Sequence, residues 1–278
     1  MLLARFNSNQ QQALAFARRS ATYLEKFAAG VHDRAEAPAI LLTHLNVADP
    51  YMLAGELEDA QRLCDRGRDL ARTLDNRLYA GTFLWVSGEI SRREGELDEA
   101  LKQMEESVRI LKPLPTGAEH GRTMNFILAL IHEGQVLGEE DAISLGESEA
   151  AADRFQLAFE TADKFVHQDL QDQASRGRLA SAGIKLADIL RRSNPSRALA
   201  TYDHVLRHSS EIDNPSFARY QITALAGSST ALLRLHRVRE ARRRLDTAFE
   251  RLRQMNLYPA DKIKLGSEAD LTLSAFAD

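Results

Sequence analysis

The sequence predicts an all-α fold in which helix pairs stack side by side into a solenoid, and three observations lead there. Good helix formers (Ala, Leu, Arg and Glu) dominate, with only seven prolines and fifteen glycines to interrupt them. The alternating Val/Ile/Thr-rich runs that strands need are few. One pattern also recurs five times, a small residue, three others, a bulky residue, two others and a small residue. It reads Ala60-x3-Cys64-x2-Gly67, Ala100-x3-Met104-x2-Ser107, Ala151-x3-Phe155-x2-Ala158, Ala198-x3-Tyr202-x2-Val205 and Ala241-x3-Leu245-x2-Ala248. Offsets of four and seven put all three residues on one helical stripe. The small residues let a second helix approach closely, and the bulky one fills the gap.

The elements follow in order along a single array spanning 1–278. Residues 10–28 carry Ala13-x3-Ala17-x2-Ser20, a stripe on a lone helix. That helix is either the second half of a unit whose first helix is missing or an amphipathic cap. Helix pairs are expected at 33–75, 78–112, 118–166, 173–208 and 215–255, each ending in one of the five stripes. Their inter-helix turns read Gly55-Glu56, Gly95-Glu96, Gly146-Glu147, Ser193-Asn194-Pro195 and His236-Arg237. Glycine or asparagine is what a helix C-cap prefers. A pair of this kind cannot bury its apolar face alone, so pairs must stack. The C-terminal segment 260–278 begins a helix near Ser267 and stops. These ends suit an open array or a fragment.

The unit resembles the tetratricopeptide repeat, whose hallmark is W-x2-L-G-x2-Y, then A-x3-F, then P, over about 34 residues. In the second repeat Leu84-x3-Gly88 precedes Gly95-Glu96-Leu97-Asp98-Glu99-Ala100. The stripes lie 40, 51, 47 and 43 residues apart, longer than that family's standard, and most large aromatics are replaced, although Tyr51, Phe155 and Tyr202 stand at matching places. The resemblance covers residues 9–255 and implies a right-handed superhelix of antiparallel helix pairs. A narrower resemblance rests on Gly134-Gln-Val-Leu-Gly138 with Ser144-Leu-Gly146, and on Glu240-Ala-Arg, Arg244-Leu-Asp, Tyr258-Pro-Ala-Asp and Gly266-Ser-Glu-Ala-Asp270. These segments are similar to the C-terminal repeat regions of acidobacterial-type serine/threonine protein kinases. The chain has no Gly-rich loop, Val-Ala-Ile-Lys, His-Arg-Asp or Asp-Phe-Gly motif, so kinase activity does not carry over.

In the repeat family the first helix of each pair lines a concave groove that partners occupy. Register from the stripes places Asn46 and Asp49 there from the first pair, and Trp85, Glu89 and Arg92 from the second. The third pair adds His132 and Gln135, the fourth Lys185, Asp188 and Arg192, and the fifth Arg234. Such a mixed polar surface suits an extended peptide or a helix. Trp85 stands one residue beyond the family's usual aromatic position at Leu84, rotated about 100° around the helix. It either reaches the groove or packs beneath the neighbouring pair. The expected partner is therefore a protein or peptide. A scaffold or sensor module fits, as the repeat portion of a larger kinase-like signalling protein. The alternative is a ligand-gated regulator that captures a short signalling peptide in the groove.

Other chemistries find little support in the residues. A net charge of −4 gives no global basic field for nucleic acid. The eight arginines of 234–253 interleave with Glu240, Asp246 and Glu250 as on a solvated helix. The acid-rich stretch 139–149 lacks the alternating ligands and fixed glycine of a calcium loop. No two histidines flank a glutamate in the metalloprotease manner, so no metal site and no cofactor are expected. Gly227-Ser228-Ser229 lies inside a helix, not at a strand-to-helix elbow. Cys64, the single cysteine, occupies the bulky place of a stripe and reads as a buried, inert thiol. The chain is accordingly not expected to be an enzyme. A lone cysteine allows no intrachain disulfide, which leaves the redox compartment open. There is no run of eighteen apolar residues and no signal-peptide core after Met1-Leu2-Leu3-Ala4-Arg5. The cytoplasm is the default, or an extracytoplasmic location if a membrane helix precedes the segment in a kinase-like parent.

Overall fold

The computed structural model describes residues 10–28, 37–113, 120–139, 142–210, 214–255 and 268–277. The expected beginnings of the first and third pairs (33–36 and 118–119), Glu140 and Asp141 of the acid-rich stretch, and the Tyr258-to-Ser267 part of the kinase-like resemblance lie outside the described residues. Among the described residues there is no strand, and twelve helices run in sequence. They are α1 (Gln10–Ala28), α2 (Ala37–Ala54), α3 (Leu57–Thr73), α4 (Arg77–Glu94), α5 (Leu97–Leu111) and α6 (His120–Gly138). Then come α7 (Ser148–Gln168), α8 (Gln173–Leu190), α9 (Pro195–Ser210), α10 (Pro215–Arg234), α11 (Val238–Gln254) and α12 (Glu268–Ala277). The even-numbered helices α2 to α10 are the first helices of the expected pairs, and each is followed by its stripe-bearing second helix.

The chain forms two compact units, residues 1–136 with 143–145, and residues 137–142 with 146–278. Within the first unit α1 to α5 pack in sequential order, and the first helices α2 and α4 also meet directly. There α6 joins α4 through Thr82 Oγ1 and Asn125 Oδ1 at 3.3 Å, and α5 through Arg122. Within the second unit α7 to α11 pack in order, α8 meets α10, and α12 lies against α10 and α11.

Close helix approach through the small-residue stripes explains this order. Ala60, Ala100, Ala151, Ala198 and Ala241 are all buried, as are Cys64, Met104, Phe155, Tyr202 and Leu245 between them and the residue three further on in each stripe. Each stripe alanine also closes the first turn of its helix. Its N–H donates to the carbonyl four residues earlier, at Glu56, Glu96, Glu147, Asn194 and Arg237. Gly67 shows how tight the approach is, since it sits directly against the Phe83 ring.

Three of the turns share one hydrogen-bond design. After α2, Gly55 N–H donates to Met52 O and Glu56 N–H to Tyr51 O; after α4, Gly95 and Glu96 repeat this to Arg92 O and Ser91 O. After α10, His236 and Arg237 do the same to Leu233 O and Leu232 O. The residue that reverses the chain needs positive φ, +79° at Gly55 and +86° at Gly95, which glycine adopts without strain. At His236 a non-glycine residue takes φ 58°. Between α6 and α7 the turn is Gly146-Glu147, with φ +79° at Gly146. Glu147 N–H still bonds Leu137 O at 2.8 Å, the counterpart of the Glu96 to Ser91 bond. The fourth turn differs from expectation. Asn194 does not terminate α8 in the left-handed region; its Oδ1 accepts from Arg197 N–H at 3.1 Å and starts α9.

Candidate partner-binding surface

A first helix touches helices on more sides than a second helix does, and its buried residues reflect this. In α4 burial is nearly continuous from Gly81 to Ser91, whereas in α5 it is confined to Ala100, Met104, Ser107 and Leu111. Among the described residues, the buried ionic side chains Glu89, Arg122, Glu133 and Arg176 all lie on first helices. Two of them are structural. Arg122 donates to Leu111 O and Ile110 O at the end of α5; Arg176 donates to Leu170 O and to His208 O near the end of α9. Guanidinium donors satisfy carbonyls that a helix end leaves unpaired, where the helix dipole favours a cation.

In the first unit the structure brings together four of the expected residues. Trp85, Glu89 and Arg92 stand one turn apart along α4, and His132 of α6 faces them. The Trp85 and His132 rings stack with centroids 4.8 Å apart and planes 6° from parallel. The Glu89 carboxylate is the hub. It accepts from Arg92 Nε at 3.1 Å and Arg93 Nε at 2.9 Å, and lies 3.8 Å from His132 Nδ1. Arg92 reaches on to Ile143 O and Arg93 to Met52 O. Glu89 is therefore a buried organiser of two guanidinium groups and not an open groove acid. Trp85 divides between the two placements open to it. It is half-buried, packs against the apolar clusters of α1–α4 and of α5–α6, and stacks on the neighbouring pair's histidine. Asn46, Asp49 and Gln135 are half-buried on α2 and α6.

In the second unit Lys185 and Asp188 stand one turn apart on α8, and Arg192 lies in the turn that follows. Lys185 Nζ pairs with Glu139, and Asp188 accepts a hydrogen bond from the buried Tyr202 hydroxyl and lies 3.9 Å from Arg191 Nε. Asp188 thus anchors the bulky residue of the fourth stripe. Arg192, in the turn after α8, and Arg234, at the end of α10, are exposed.

Two groups escaped the sequence reading. Arg93, one position beyond the groove stripe, shares the Glu89 hub. On second helices α7 and α9, Asp163 meets His204 and His208. The i,i+4 spacing of His204 and His208 was a readable signal, passed over because no glutamate separates them in the metalloprotease manner. Cys64 is fully buried and burial pushes its thiol up to about 12. Ser228 and Ser229 are buried and donate to Leu225 O and Ala226 O of their own helix. No described helix is long and apolar enough to cross a membrane.

No family model matches the chain, and no curated protein sequence does. Solved structures do match. BtubC (BKLC) from P. vanneervenii aligns with a TM-score of 0.68 at 17% identity, covering 93% of this chain and 96% of that one. A Rap protein crystallised in complex with competence and sporulation factor aligns at 0.58 with 14% identity, covering 99% of this chain and 72% of its own. At these identities the likeness concerns the fold, and the fold is a tetratricopeptide-like helical repeat.

Proposed function

We propose that the chain is a non-catalytic scaffold or sensor whose first helices bind an extended peptide or a protein segment. One observation carries the reading. Among the described residues the buried ionic side chains all lie on first helices, where Trp85, His132 and the guanidinium groups of Arg92 and Arg93 are arranged around one buried carboxylate. An aromatic pair beside cations suits a partner that offers an apolar side chain and acids. The outward faces of second helices carry sequence-local pairs, such as Arg62–Asp59, Lys102–Glu99, Arg109–Glu106 and Arg237–Glu240, which are surface features of little energetic consequence. Capture of a short signalling peptide is the second reading. It is favoured by the fold shared with a Rap protein solved together with a bound factor. Membership in a kinase-like parent rests on the Gly134-to-Gly146 and Glu240-to-Asp270 segments.

Panning a displayed random-peptide library against the full chain tests this. Selected peptides are expected to carry acids beside an aromatic or aliphatic residue. Arg92→Ala should weaken peptides held by the first unit and Lys185→Ala those held by the second, while Lys102→Ala on a second helix leaves binding unchanged. Selected peptides indifferent to every first-helix change would refute the assignment.

A further inference from the structure

The second unit holds a cluster of side chains that partner binding on the first helices does not use. It lies between two second helices. Asp163 and His167 stand one turn apart on α7, and His204 and His208 stand one turn apart on α9, so each pair projects from a single helical face. One ligand atom each from Asp163, His204 and His208 falls within 4.8 Å of the other two. His204 Nε2 lies 2.8 Å from Asp163 Oδ1, and the His204 and His208 rings are 4.6 Å apart, tilted by 38°. Phe159 presents its ring to His204 edge-on at 5.2 Å and forms one wall. His167 flanks the group. Its Nδ1 sits 2.8 Å from Asp163 O and 3.7 Å from Asp163 Oδ2, and its ring lies 6.1 Å from that of His208. Asp163 and His204 keep 29% and 24% of their side-chain surface, enough for an ion to enter and little enough to limit competition from water.

We propose that Asp163, His204 and His208 form a binding site for a divalent transition-metal ion of the zinc class. Two histidines four residues apart on a helix place both imidazoles toward one ion, and a carboxylate from a facing helix supplies a third donor. Bonds of about 2.0–2.1 Å in tetrahedral geometry put donor atoms roughly 3.3 Å from one another. The three donors reach that spacing by side-chain rotation, the 2.8 Å contact opening by about 0.5 Å and the wider ones closing by at most about 1.5 Å. Two imidazoles and one carboxylate select Zn2+, Co2+, Ni2+ or Cu2+ over Mg2+ and Ca2+, which take all-oxygen ligand sets. Three protein ligands leave a coordination position for water or for a donor from a partner. His167, placed beside the second oxygen of Asp163, is a positioning residue in the outer shell. An ion here would clamp α7 to α9, two helices that the chain otherwise joins here through a hydrogen bond between His204 and Asp163.

The experiment uses the full chain without a histidine tag. Titration with Co2+ is followed by visible absorption, and titration with Zn2+ by calorimetry, with Mg2+ as the control. One equivalent is expected to bind, with the absorption of low-coordinate Co2+, and Zn2+ should raise the melting temperature. His204→Gln, His208→Gln and Asp163→Asn should each weaken Zn2+ at least tenfold, while His236→Gln at the remote turn after α10 changes nothing. Circular dichroism verifies that the variants stay folded. Should a variant unfold, the wild-type protein still decides, because Zn2+ must protect His204 and His208, and not His236, from diethylpyrocarbonate as mapped by mass spectrometry. No binding to the wild-type chain, equal binding to His204→Gln and His208→Gln, or absence of that selective protection overturns the site. None of these outcomes bears on the first-helix surface, so the two readings fail separately.

Discussion

Replacing Gly67 with alanine sets two physical effects against each other. In the interior of α3 the change gains about 0.8–1 kcal/mol of intrinsic helix propensity. A Cβ at this position, however, would stand 2.2 Å from Phe83 Cζ and 2.5 and 2.8 Å from the two Cε atoms. Carbon atoms in contact prefer roughly 3.5–4.0 Å, so the ring has to move by more than about 1 Å. Phe83 is fully buried within the cluster that joins α2, α3 and α4, and moving it displaces its neighbours. Overpacking of this kind costs roughly 1–3 kcal/mol, and three simultaneous overlaps place it in the upper part of that range. The expected net effect is a loss of about 1–2 kcal/mol, read as a lower urea midpoint with an unchanged slope in far-UV circular dichroism. Gly67→Ala combined with Phe83→Leu restores space, so the double variant should be more stable than the sum of the single effects indicates. If Gly67→Ala proved more stable than the wild-type chain, propensity would outweigh contact and the close-approach account of the stripes would be wrong.

Four further outcomes follow from the same packing. Cys64 should react with a thiol reagent only as fast as the chain opens, and its raised pKa means that its contribution to stability is full below 9.0 and lost as pH climbs toward about 12; Cys64→Ala should flatten that part of a stability–pH profile. Burial holds the His44 imidazole below its ordinary 6.5, so its contribution is full above that pH and falls away in acid, and His44→Gln should lessen the acid sensitivity measured by urea midpoints between neutral and acidic pH. Glu89→Gln leaves Arg92 in a largely enclosed place without its carboxylate and should cost roughly 2–3 kcal/mol in chemical denaturation, less than a fully buried pair because Arg93 is partly in solvent. Trp85→Phe removes an indole N–H that is buried without an acceptor and should keep stability within about 1 kcal/mol, whereas Trp85→Ala removes packing from two clusters and should visibly lower the melting temperature.

The stripes were legible because close helix contact constrains residue size at fixed offsets. Alanine at 60, 100, 151, 198 and 241 is a requirement of distance, and distance along a helix maps directly onto spacing in the sequence. The turns were legible where glycine supplies positive φ, as at Gly55 and Gly95, and less so at His236, where hydrogen bonds to Leu233 O and Leu232 O hold a residue that does not advertise the conformation. Asn194 was misjudged for a chemical reason. The same amide that can end a helix in the left-handed region can also accept an N–H at the start of the next, and the proline at 195 favours the second use. Groove register gave the helix face of Glu89 and Asp188 but not their state, because whether a carboxylate is open or enclosed depends on neighbours such as Arg93 and Tyr202 that come from other turns and other helices. The Asp163–His204–His208 group needed the facing of two helices about 40 residues apart in the chain, which spacing within either helix does not disclose.

The division of labour between the two kinds of helix follows from the contacts each must make. A second helix spends one stripe of small residues on its neighbours and leaves a broad face to solvent, where charges pair within the helix, as Arg109 does with Glu106, or with another second helix, as Arg244 does with Asp203. A first helix meets its own partner and the first helices of adjacent pairs, as α2 meets α4 and α8 meets α10. A polar side chain that becomes buried on it lies in a low-water setting and has to be satisfied there. Glu89 with its two arginines, Arg176 on two carbonyls and Asp188 under the Tyr202 hydroxyl are three solutions of that one problem. Such satisfied groups hold fixed orientations, and a partner that meets them encounters little further cost in ordering side chains. Arg234 is exposed at the end of α10, so its expected role is attraction of an acidic partner, with an effect that fades as salt is added. Salt titration therefore separates the two contributions. Loss of affinity on Arg234→Glu should shrink at high salt, while loss on Arg92→Ala should persist.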